Sequence, residues 1–326
     1  MKANLGVHSK SISTILLHWE ALPCSLVRMS LIVKTKGIDC PEKLCIFIRR
    51  DIPIPGAYKG ESMEGFELGI TRLMFFAGGI SLFLLLEWFI PYRKPTEPKT
   101  KRWLINLSLA GVNSILLAVL FGSVMAATLA FGASHQWGLL NQAALPLWVK
   151  MLLAVIVMDF LLYVWHVLNH EIPFFWRFHR VHHSDLNMDV STATRFHVGE
   201  LAMSSIIRMM IILLLGVEWR DLLLFDSLVL LSTQFHHSSV KIPAGFEKIF
   251  WLLFVPPSMH RIHHSVIIKE RNTNYGAIFS LWDRLCGTLL TGVDQARIKI
   301  GIGAYPKQAE LSLLRLIIMP FTHAVK

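Results

Sequence analysis

An apolar run that begins near Leu147 ends in His166-Val-Leu-Asn-His170-Glu-Ile-Pro-Phe-Phe-Trp-Arg-Phe-His179-Arg-Val-His182-His183. The last part, His-x-x-His-His, recurs as His260-Arg-Ile-His263-His264, and eleven of the fifteen histidines lie between positions 166 and 264. Neutral imidazole is the commonest side-chain ligand for borderline transition metals. This stretch therefore predicts a histidine-bound metal site at the end of a long apolar helix.

The composition predicts an integral membrane protein. Apolar residues make up 53% of the chain, mean hydropathy is +0.50, and charged residues reach 17%, against about 25% in soluble domains. Runs at about Leu68–Ile90 and Trp103–Phe131, and a third that starts near Leu147, are long enough to cross a hydrocarbon core of about 30 Å. Two shorter runs, 201–217 and 221–235, predict a helical hairpin, and Phe246–Val255 predicts an interfacial helix.

The charge distribution predicts an orientation. The formal net charge is +10, and the 91–102 loop holds five basic residues, whereas 132–146 holds no Lys or Arg. By the positive-inside rule, 91–102 is cytoplasmic, so the third span delivers His166 and His170 to the cytoplasmic face. The sequence contains no nucleic-acid-binding motif, and its four cysteines form no Cys-x-x-Cys pair. We therefore expect no nucleic-acid partner and neither a thiolate metal site nor a disulfide framework.

Three regions are predicted along the chain. Residues 1–62 are basic, hold three of the four cysteines and show no sustained apolar period. We expect them to be disordered or to lie upstream of a functional start at Met63; a genuine small N-terminal segment is the alternative. Residues 63–290 should form the membrane domain, an all-α bundle with a cytoplasmic, histidine-rich di-metal cap. Residues 291–326 should form a tail with a surface helix at Leu311–Met319.

The patterned histidines predict two metal ions, because eight imidazoles exceed what one four- to six-coordinate ion takes. His166 and His170 are four apart and share a helix face. Within each His-x-x-His-His, we expect the first two histidines to face one way and the third to be rotated by about 100° from the second. One helix end can thus contact two metals or bridge around one. The eight are His166, His170, His179, His182, His183, His260, His263 and His264.

Five further residues are candidates for the site. His197, His236 and His237 are possible additional metal ligands. Asp159, two turns deeper than His166, is expected to orient a ligand imidazole, the alternative being a polar tie to a neighbouring helix. Glu171 is expected to accept a hydrogen bond from a ligand histidine, the alternatives being a metal ligand or an interfacial charge. Asp159 and Glu171 are thus the candidate catalytic residues.

With its spacing and order, the histidine set resembles the fatty acid hydroxylase / sterol desaturase superfamily. Supporting context comes from Ser191-Thr-Ala-Thr-Arg-Phe-His197, Asn274-Tyr-Gly276 and Trp282-Asp-Arg-Leu-Cys-Gly-Thr288. The resemblance covers about 66–290. It implies a helical membrane enzyme in which the eight histidines hold two iron ions and O₂ with two electrons hydroxylates or desaturates a lipid taken from the bilayer. Many relatives carry an Asn where Ser239 stands, which puts an amide role there in doubt.

The resemblance also implies an electron donor, such as a cytochrome b5 or a ferredoxin with its reductase. Basic residues near the histidines, among them Arg180, Arg261, Lys269 and Arg271, are candidates for docking it or for contacting lipid headgroups. The competing class is a membrane metal-binding or metal-transport protein without oxidase activity, but such a protein would place ligands along a path near mid-membrane. A metalloprotease is disfavoured because the sequence has no His-Glu-x-x-His.

Overall fold

The computed structural model describes the backbone of residues 12–22, 26–35 and 59–323, and the side chains of residues 69–323. The chain divides into two compact units, Met1–Glu67 and Leu68–Lys326. The domain boundary at 62/63 expected from the sequence stays a prediction. The two units are described separately below.

The first unit contains a two-stranded antiparallel sheet. Strand β1, Ile12–Leu22, pairs with β2, Leu26–Thr35, so that Leu22 lies opposite Leu26 and Ile15 opposite Val33. No strand pairing was expected for residues 1–62, because this segment shows no sustained apolar period. The expectation that residues 1–62 are disordered or lie upstream of the functional start stays a prediction.

The second unit is helical, as predicted. The described residues form twelve α-helices: α1 Lys59–Phe89, α2 Lys99–Ser134, α3 Leu139–Gln142, α4 Leu147–Glu171, α5 Pro173–His183, α6 Val198–Leu215, α7 Trp219–His237, α8 Ala244–Phe250, α9 Pro257–His263, α10 Ile268–Arg271, α11 Leu281–Leu285 and α12 Leu313–Ile318. Within the described part of this unit, β structure is confined to isolated bridges.

Four helical segments are long and apolar enough to cross a membrane: Gly69–Phe89, Lys99–Gln142, Leu147–Glu171 and Val198–Leu215. The first three correspond to the predicted spans, and α6 with α7 forms the predicted hairpin. Large apolar side chains stand out from these helices; Val119 is 76% exposed and Leu73 is 63% exposed. A continuous apolar surface along helices of spanning length marks contact with lipid, and the chain is a membrane protein.

The helices of the bundle bring one set of their ends together. Glu87, at the end of α1, accepts hydrogen bonds from the backbone nitrogens of Val190 (2.8 Å) and Ser239 (3.0 Å). Arg102, in the first turn of α2, pairs with Asp185, which follows α5. The ends of α4 and α7 lie here too, since their histidines cluster, and so does the start of α6, where Glu200 contacts His179. We call this region the histidine end.

At the opposite end of the bundle, the connector after α2 and the turn after α6 meet through two glycines in close contact. Gly138, just before α3, has φ +101°, and Gly216, which ends α6, has φ +73°. A Cβ on Gly138 would overlap the backbone nitrogen of Gly216. Only glycine combines this left-handed backbone with so close an approach, so the connector after α2 can lie against the α6–α7 turn.

The C-terminal tail packs against the bundle more closely than a surface helix would. Leu311, Leu316 and Met319 are buried, and they pack with Leu109 of α2 and Val181 of α5. The predicted helix at Leu311–Met319 is present as α12, with one face in a core cluster. The helix found at the predicted interfacial segment Phe246–Val255 is α8, which begins two residues earlier, at Ala244, and ends at Phe250. Pro256, just after the predicted segment, precedes α9.

Candidate metal centre

Nine histidines form two groups at the histidine end. In each group, one ligand atom per residue lies within 4.8 Å of the others. Group one consists of five residues, His166, His170, His179, His183 and His263. Group two consists of four residues, His182, His237, His260 and His264. The eight patterned histidines are thus all brought together, and His237 joins them.

The two His-x-x-His-His motifs contribute to both groups in a crossed manner. In the first motif, His179 and His183 belong to group one and His182 to group two. In the second motif, His260 and His264 belong to group two and His263 to group one. The expectation that the first and second histidines face one way is wrong, whereas the expectation that one helix end can contact two metals fits this division. Residues four apart differ by about 40° around a helix and residues three apart by about 60°, so the first and third histidines share a direction.

Hydrogen bonds at Nδ1 orient most of the imidazoles. In group one, His166 Nδ1 donates to the carbonyl of Tyr275 (2.7 Å), His263 Nδ1 to that of Thr273 (2.8 Å), and His179 Nδ1 to Glu200 Oε1 (2.8 Å). An imidazole that donates through Nδ1 keeps a lone pair on Nε2. These contacts therefore fix both the tautomer and the direction of the metal-binding nitrogen.

Group two is oriented in the same way from other segments. His182 Nδ1 donates to the Arg195 carbonyl (3.3 Å), and His237 Nδ1 donates to that of Thr233 (2.7 Å). The two Nε2 atoms of this pair then lie 3.1 Å apart. His260 Nε2 lies 3.0 Å from His237 Nε2 and 3.1 Å from His264 Nε2. Each of these four ring nitrogens thus lies within hydrogen-bond distance of at least one of the others.

This arrangement fits bound cations. The Nε2 atoms of His182 and His237 face each other, although both rings already use their proton at Nδ1. Two lone pairs at this distance repel unless a positive charge lies between them. In group one, the Nε2 atoms of His166, His170 and His263 are buried and have no hydrogen-bond partner among the described residues. Buried polar atoms are rarely left this way, and a metal ion in each group would satisfy them.

The imidazoles outside the membrane-spanning helices are held neutral. Burial lowers the pKa of the His182, His183, His260, His263 and His264 rings well below its ordinary value, and neighbouring imidazoles lower it further. Only the neutral ring has a lone pair for a metal. The site therefore presents ligands in their binding form at neutral pH.

A buried polar network clamps the segment after α5. Arg102 pairs with Asp185 (2.7 Å) and Asp189 (2.7 Å), and Asn106 donates to Asp185 and to Ser191. Burial alone would raise the pKa of the Asp185 carboxyl, but the Arg102 guanidinium lowers it well below its usual range. This network fixes the loop whose Arg195 carbonyl orients a ligand of group two.

A second clamp holds the loop before α11. Asn274, with φ +58°, donates to the carbonyls of Met259 (3.1 Å) and Leu290 (3.0 Å). Asp283 accepts from the backbone nitrogens of Tyr275 and Gly276, both at 2.8 Å. The loop is therefore rigid where the Thr273 and Tyr275 carbonyls meet the imidazoles.

Asp159 acts on this loop and not directly on a histidine. Its carboxylate accepts from Ile278 N (3.1 Å), Phe279 N (3.2 Å) and Trp282 Nε1 (2.8 Å). The structure thus favours the polar tie over the direct orientation of a ligand. Glu171 is exposed, and its contact is with the Tyr275 hydroxyl at 3.5 Å. Neither candidate catalytic residue touches a group-one or group-two ring.

His197 and His236 stay outside both groups. His197 precedes α6; its Nδ1 accepts from Gly199 N (2.9 Å), and its Nε2 donates to the Ile317 carbonyl (3.0 Å). Both ring nitrogens are therefore used, and His197 caps a helix. His236 is buried, and its ring centroid lies 4.0 Å from that of His260. It lines the cavity described next.

Sequence reasoning missed the residues that orient the ligands. Glu200, the partner of His179, could have been predicted from the sequence, because it is a carboxylate at the start of an apolar run. The partners Thr233, Thr273, Tyr275 and Arg195 act through backbone carbonyls. Every residue has such a carbonyl, so the sequence carries no signal for them.

A cavity of about 380 Å³ leads from the bundle to the histidines. It lies between α4, α6 and α7, and its walls are largely apolar, with Leu161, Leu201, Ile207, Ile211, Phe225 and Leu230 among them. His166, His179, His182, His236 and His260 form one end. Its size is typical of pockets for small molecules, and its walls suit an alkyl chain.

Comparisons with known proteins agree with this geometry. Residues 151–288 match the sequence model of a family described as fatty acid hydroxylase. The chain is 28% identical over 232 residues to an ornithine lipid hydroxylase of Rhizobium tropici, an alignment that covers 68% of each chain. It is 28% identical over 149 residues to human cholesterol 25-hydroxylase, covering 45% of this chain and 53% of the relative.

A third relative is an alkylglycerol monooxygenase of Caenorhabditis elegans, 27% identical over 217 residues. That alignment covers 64% of this chain and 40% of the relative. The chain thus spans about half the length, or less, of the cholesterol and alkylglycerol enzymes. No solved structure matches the chain.

Proposed function

Because the chain belongs to the fatty acid hydroxylase / sterol desaturase superfamily, we propose that it is a di-iron enzyme that uses O₂ to hydroxylate a lipid. The observation that carries this proposal is the cavity: its apolar walls end on imidazoles of both histidine groups. An alkyl chain in the cavity would place a C–H bond next to the metal site. Desaturation of the same bond is the close alternative.

The chemistry requires a redox-active metal. Groups one and two would each hold one iron ion, which supplies the oxidising power for an unactivated C–H bond that redox-inert zinc does not supply. In hydroxylation, one oxygen atom of O₂ enters the C–H bond and the other leaves as water, and two electrons and two protons are consumed. The electrons come from a separate donor protein.

The protein's own residues position the ligand imidazoles, fix their protonation state and keep water out of the cavity. The carbonyls of Tyr275, Thr273, Thr233 and Arg195 hold protons at Nδ1 of four ligands. Glu200 holds the proton at Nδ1 of His179 in the same way. The apolar cavity walls would orient the alkyl chain of the lipid and exclude water, and the exclusion of water protects a reactive site from side reactions.

The proposal includes an orientation and a donor. The basic 91–102 loop lies at the histidine end, since Arg102 pairs with Asp185 there. The positive-inside rule therefore favours a multi-pass protein with its metal site on the cytoplasmic face. A cytochrome b5 or a ferredoxin with its reductase would reach the site from that side.

Two measurements test the function. The protein is purified in nanodiscs, and bound metal is quantified per chain; about two iron ions are expected. Cells with and without the gene are then compared by untargeted lipidomics under ¹⁸O₂. A lipid that gains labelled oxygen supports hydroxylation, and a lipid that loses two hydrogens without label indicates desaturation. A protein that binds metal but changes no lipid would favour the metal-binding alternative and overturn the proposal.

A further inference from the structure

The cavity has charged residues at the end away from the histidines. Arg72 of α1, Arg208 of α6 and Asp226 of α7 all line it. Arg72 pairs with Asp226 at 2.7 Å, and Arg208 pairs with the other oxygen of the same carboxylate. We call these three residues the arginine cluster. It lies within or beside apolar helices, where ionisable side chains are costly and mark functional sites.

The arginine cluster carries one uncompensated positive charge. Two guanidinium groups share one carboxylate. The remaining charged residue of the cavity wall, Glu200, is bound to His179. Arg208 Nε is buried and has no hydrogen-bond partner among the described residues. Ser204 and Ser227 bring hydroxyl groups to the same wall. A single anion would neutralise this charge and accept the free N–H.

The helix rise gives the approximate separation between the arginine cluster and the histidine end. Glu200 and Arg208 stand on one face of α6, eight residues and therefore about 12 Å apart. Asp226 and His236 on α7 are ten residues apart, or about 15 Å. The wall between them is largely apolar, and its polar side chains on α6 and α7 are the hydroxyl groups of Ser204, Ser227 and Thr233. The cavity thus has a charged end, an apolar middle and a histidine end, which is the polarity of a single-chain amphiphile.

The geometry points to the arginine cluster as a headgroup subsite that binds the carboxylate of a single-chain lipid, whose chain extends to the histidine end. This inference rests on the proposed function and narrows its substrate class. A guanidinium fork matches a planar carboxylate. One net positive charge matches one carboxylate, whereas a phosphate monoester carries about −1.5 to −2. Oxidation should then occur about 12–15 Å from the carboxylate.

Binding of a fluorescent fatty acid tests the subsite without turnover. The full-length protein in phosphatidylcholine nanodiscs is titrated with cis-parinaric acid and with its methyl ester. We expect the wild type to bind the acid at least tenfold more tightly than the ester. Arg208→Gln should weaken the acid about tenfold or more and change the ester less than twofold, because one charge-assisted contact is lost. Arg208→Lys, which keeps the charge, should retain the preference for the acid.

The variant Asp226→Asn separates an anion site from a structural ion pair. If the cluster binds the carboxylate, removing Asp226 increases the positive charge, and the acid should bind at least as tightly as to the wild type. If the cluster merely ties α1, α6 and α7 together, Asp226→Asn should lose acid binding as Arg208→Gln does, and the inference is overturned. A wild type that shows no preference for the acid also overturns it.

Matched controls keep these outcomes interpretable. Arg220→Gln makes the same change at an exposed arginine of α7, which pairs with Glu218 at 2.7 Å outside the cavity wall. It should leave both affinities unchanged. Metal content equal to that of the wild type shows that each variant is folded. A wild type that shows no preference for the acid but still oxidises a lipid rejects the subsite alone, whereas a wild type that prefers the acid but oxidises no lipid rejects the proposed function.

Discussion

Around the histidine end, the buried side chains are polar, whereas α1 and α2 present large apolar side chains along their membrane-facing length. Arg102, Asp185 and Arg195 are fully buried, and Arg102 contacts the Asp185 carboxylate at 2.7 Å. Along α2, by contrast, Ile115 and Val119 are 67% and 76% exposed. At the histidine end, many buried polar side chains have specific partners or converge on the ion positions; along the spans, only the apolar character of the surface is specified. Substitutions in the two regions should therefore differ by orders of magnitude in effect.

The largest effect is expected from removing a ligand of either group. His166→Ala, His182→Ala or His263→Ala should each abolish turnover and lower the metal content by at least about half. Each change removes a converging ring nitrogen and leaves a cavity that water can fill. Metal per chain and labelled product are the measurements.

His197→Ala is the matched control for the ligand variants. It removes an imidazole of similar burial whose nitrogens bind Gly199 and Ile317. We expect full metal content, with a loss of stability of about 1 kcal/mol from the missing helix cap. Unchanged metal in all three ligand variants would contradict the assignment of the groups.

Arg102→Met should have the next largest effect. It leaves the carboxylates of Asp185 and Asp189 buried without their cation, which typically costs about 3–5 kcal/mol. The reporter is the unfolding midpoint in detergent, together with metal content. Arg297→Ala breaks an exposed pair with Asp294 and should change stability very little. Equal shifts for the two variants would show that the buried network is not special.

Acid should destabilise the metal-free protein through its imidazoles. The folded rings outside the spans have lowered pKa values, whereas the unfolded chain takes up protons near pH 6.5. The unfolded state therefore binds more protons as the pH falls below about 6.5, and stability declines by about 1.4 kcal/mol per pH unit for each ring that stays neutral. Unfolding curves at pH 7.5 and 5.5 measure this; equal midpoints would contradict it.

The smallest effect belongs to the lipid-facing surface. Val119→Ala keeps an apolar side chain that contacts lipid and should change stability by less than about 0.5 kcal/mol, with metal content and turnover intact. The same assays report it. An effect as large as that of Arg102→Met would mean that α2 packs against protein at this position.

These contrasts explain what the sequence could predict. Hydropathy predicted the spans because contact with lipid depends on the average apolar character of a helix surface. The histidine spacing predicted eight ligands because patterned imidazoles at the end of an apolar run are rarely incidental. His197 belonged to the same pattern in sequence, yet its ring caps α6. A pattern gives the residue type and approximate place, and the backbone groups that meet a ring depend on tertiary structure.

The division of the histidines needed the structure for a similar reason. Within His179-Arg-Val-His182-His183, spacing limits which rings can share a direction, but the choice depends on the imidazoles that α4, α7 and α9 bring. Asp159 shows the same limit: its burial in an apolar helix signalled importance, whereas its partners at 278–282 are more than a hundred residues away.

The crossed contribution of the two His-x-x-His-His motifs has a consequence for assembly. Helices α5 and α9 each contribute rings to both groups. If either helix is displaced, both ion positions therefore lose ligands. Loading should therefore be cooperative, with few chains carrying a single ion at intermediate iron concentrations. Native mass spectrometry of a stepwise iron titration would show this as a direct passage from empty to doubly loaded chains. A motif of this kind cannot be inherited or exchanged as an independent module, since it is half of two sites at once.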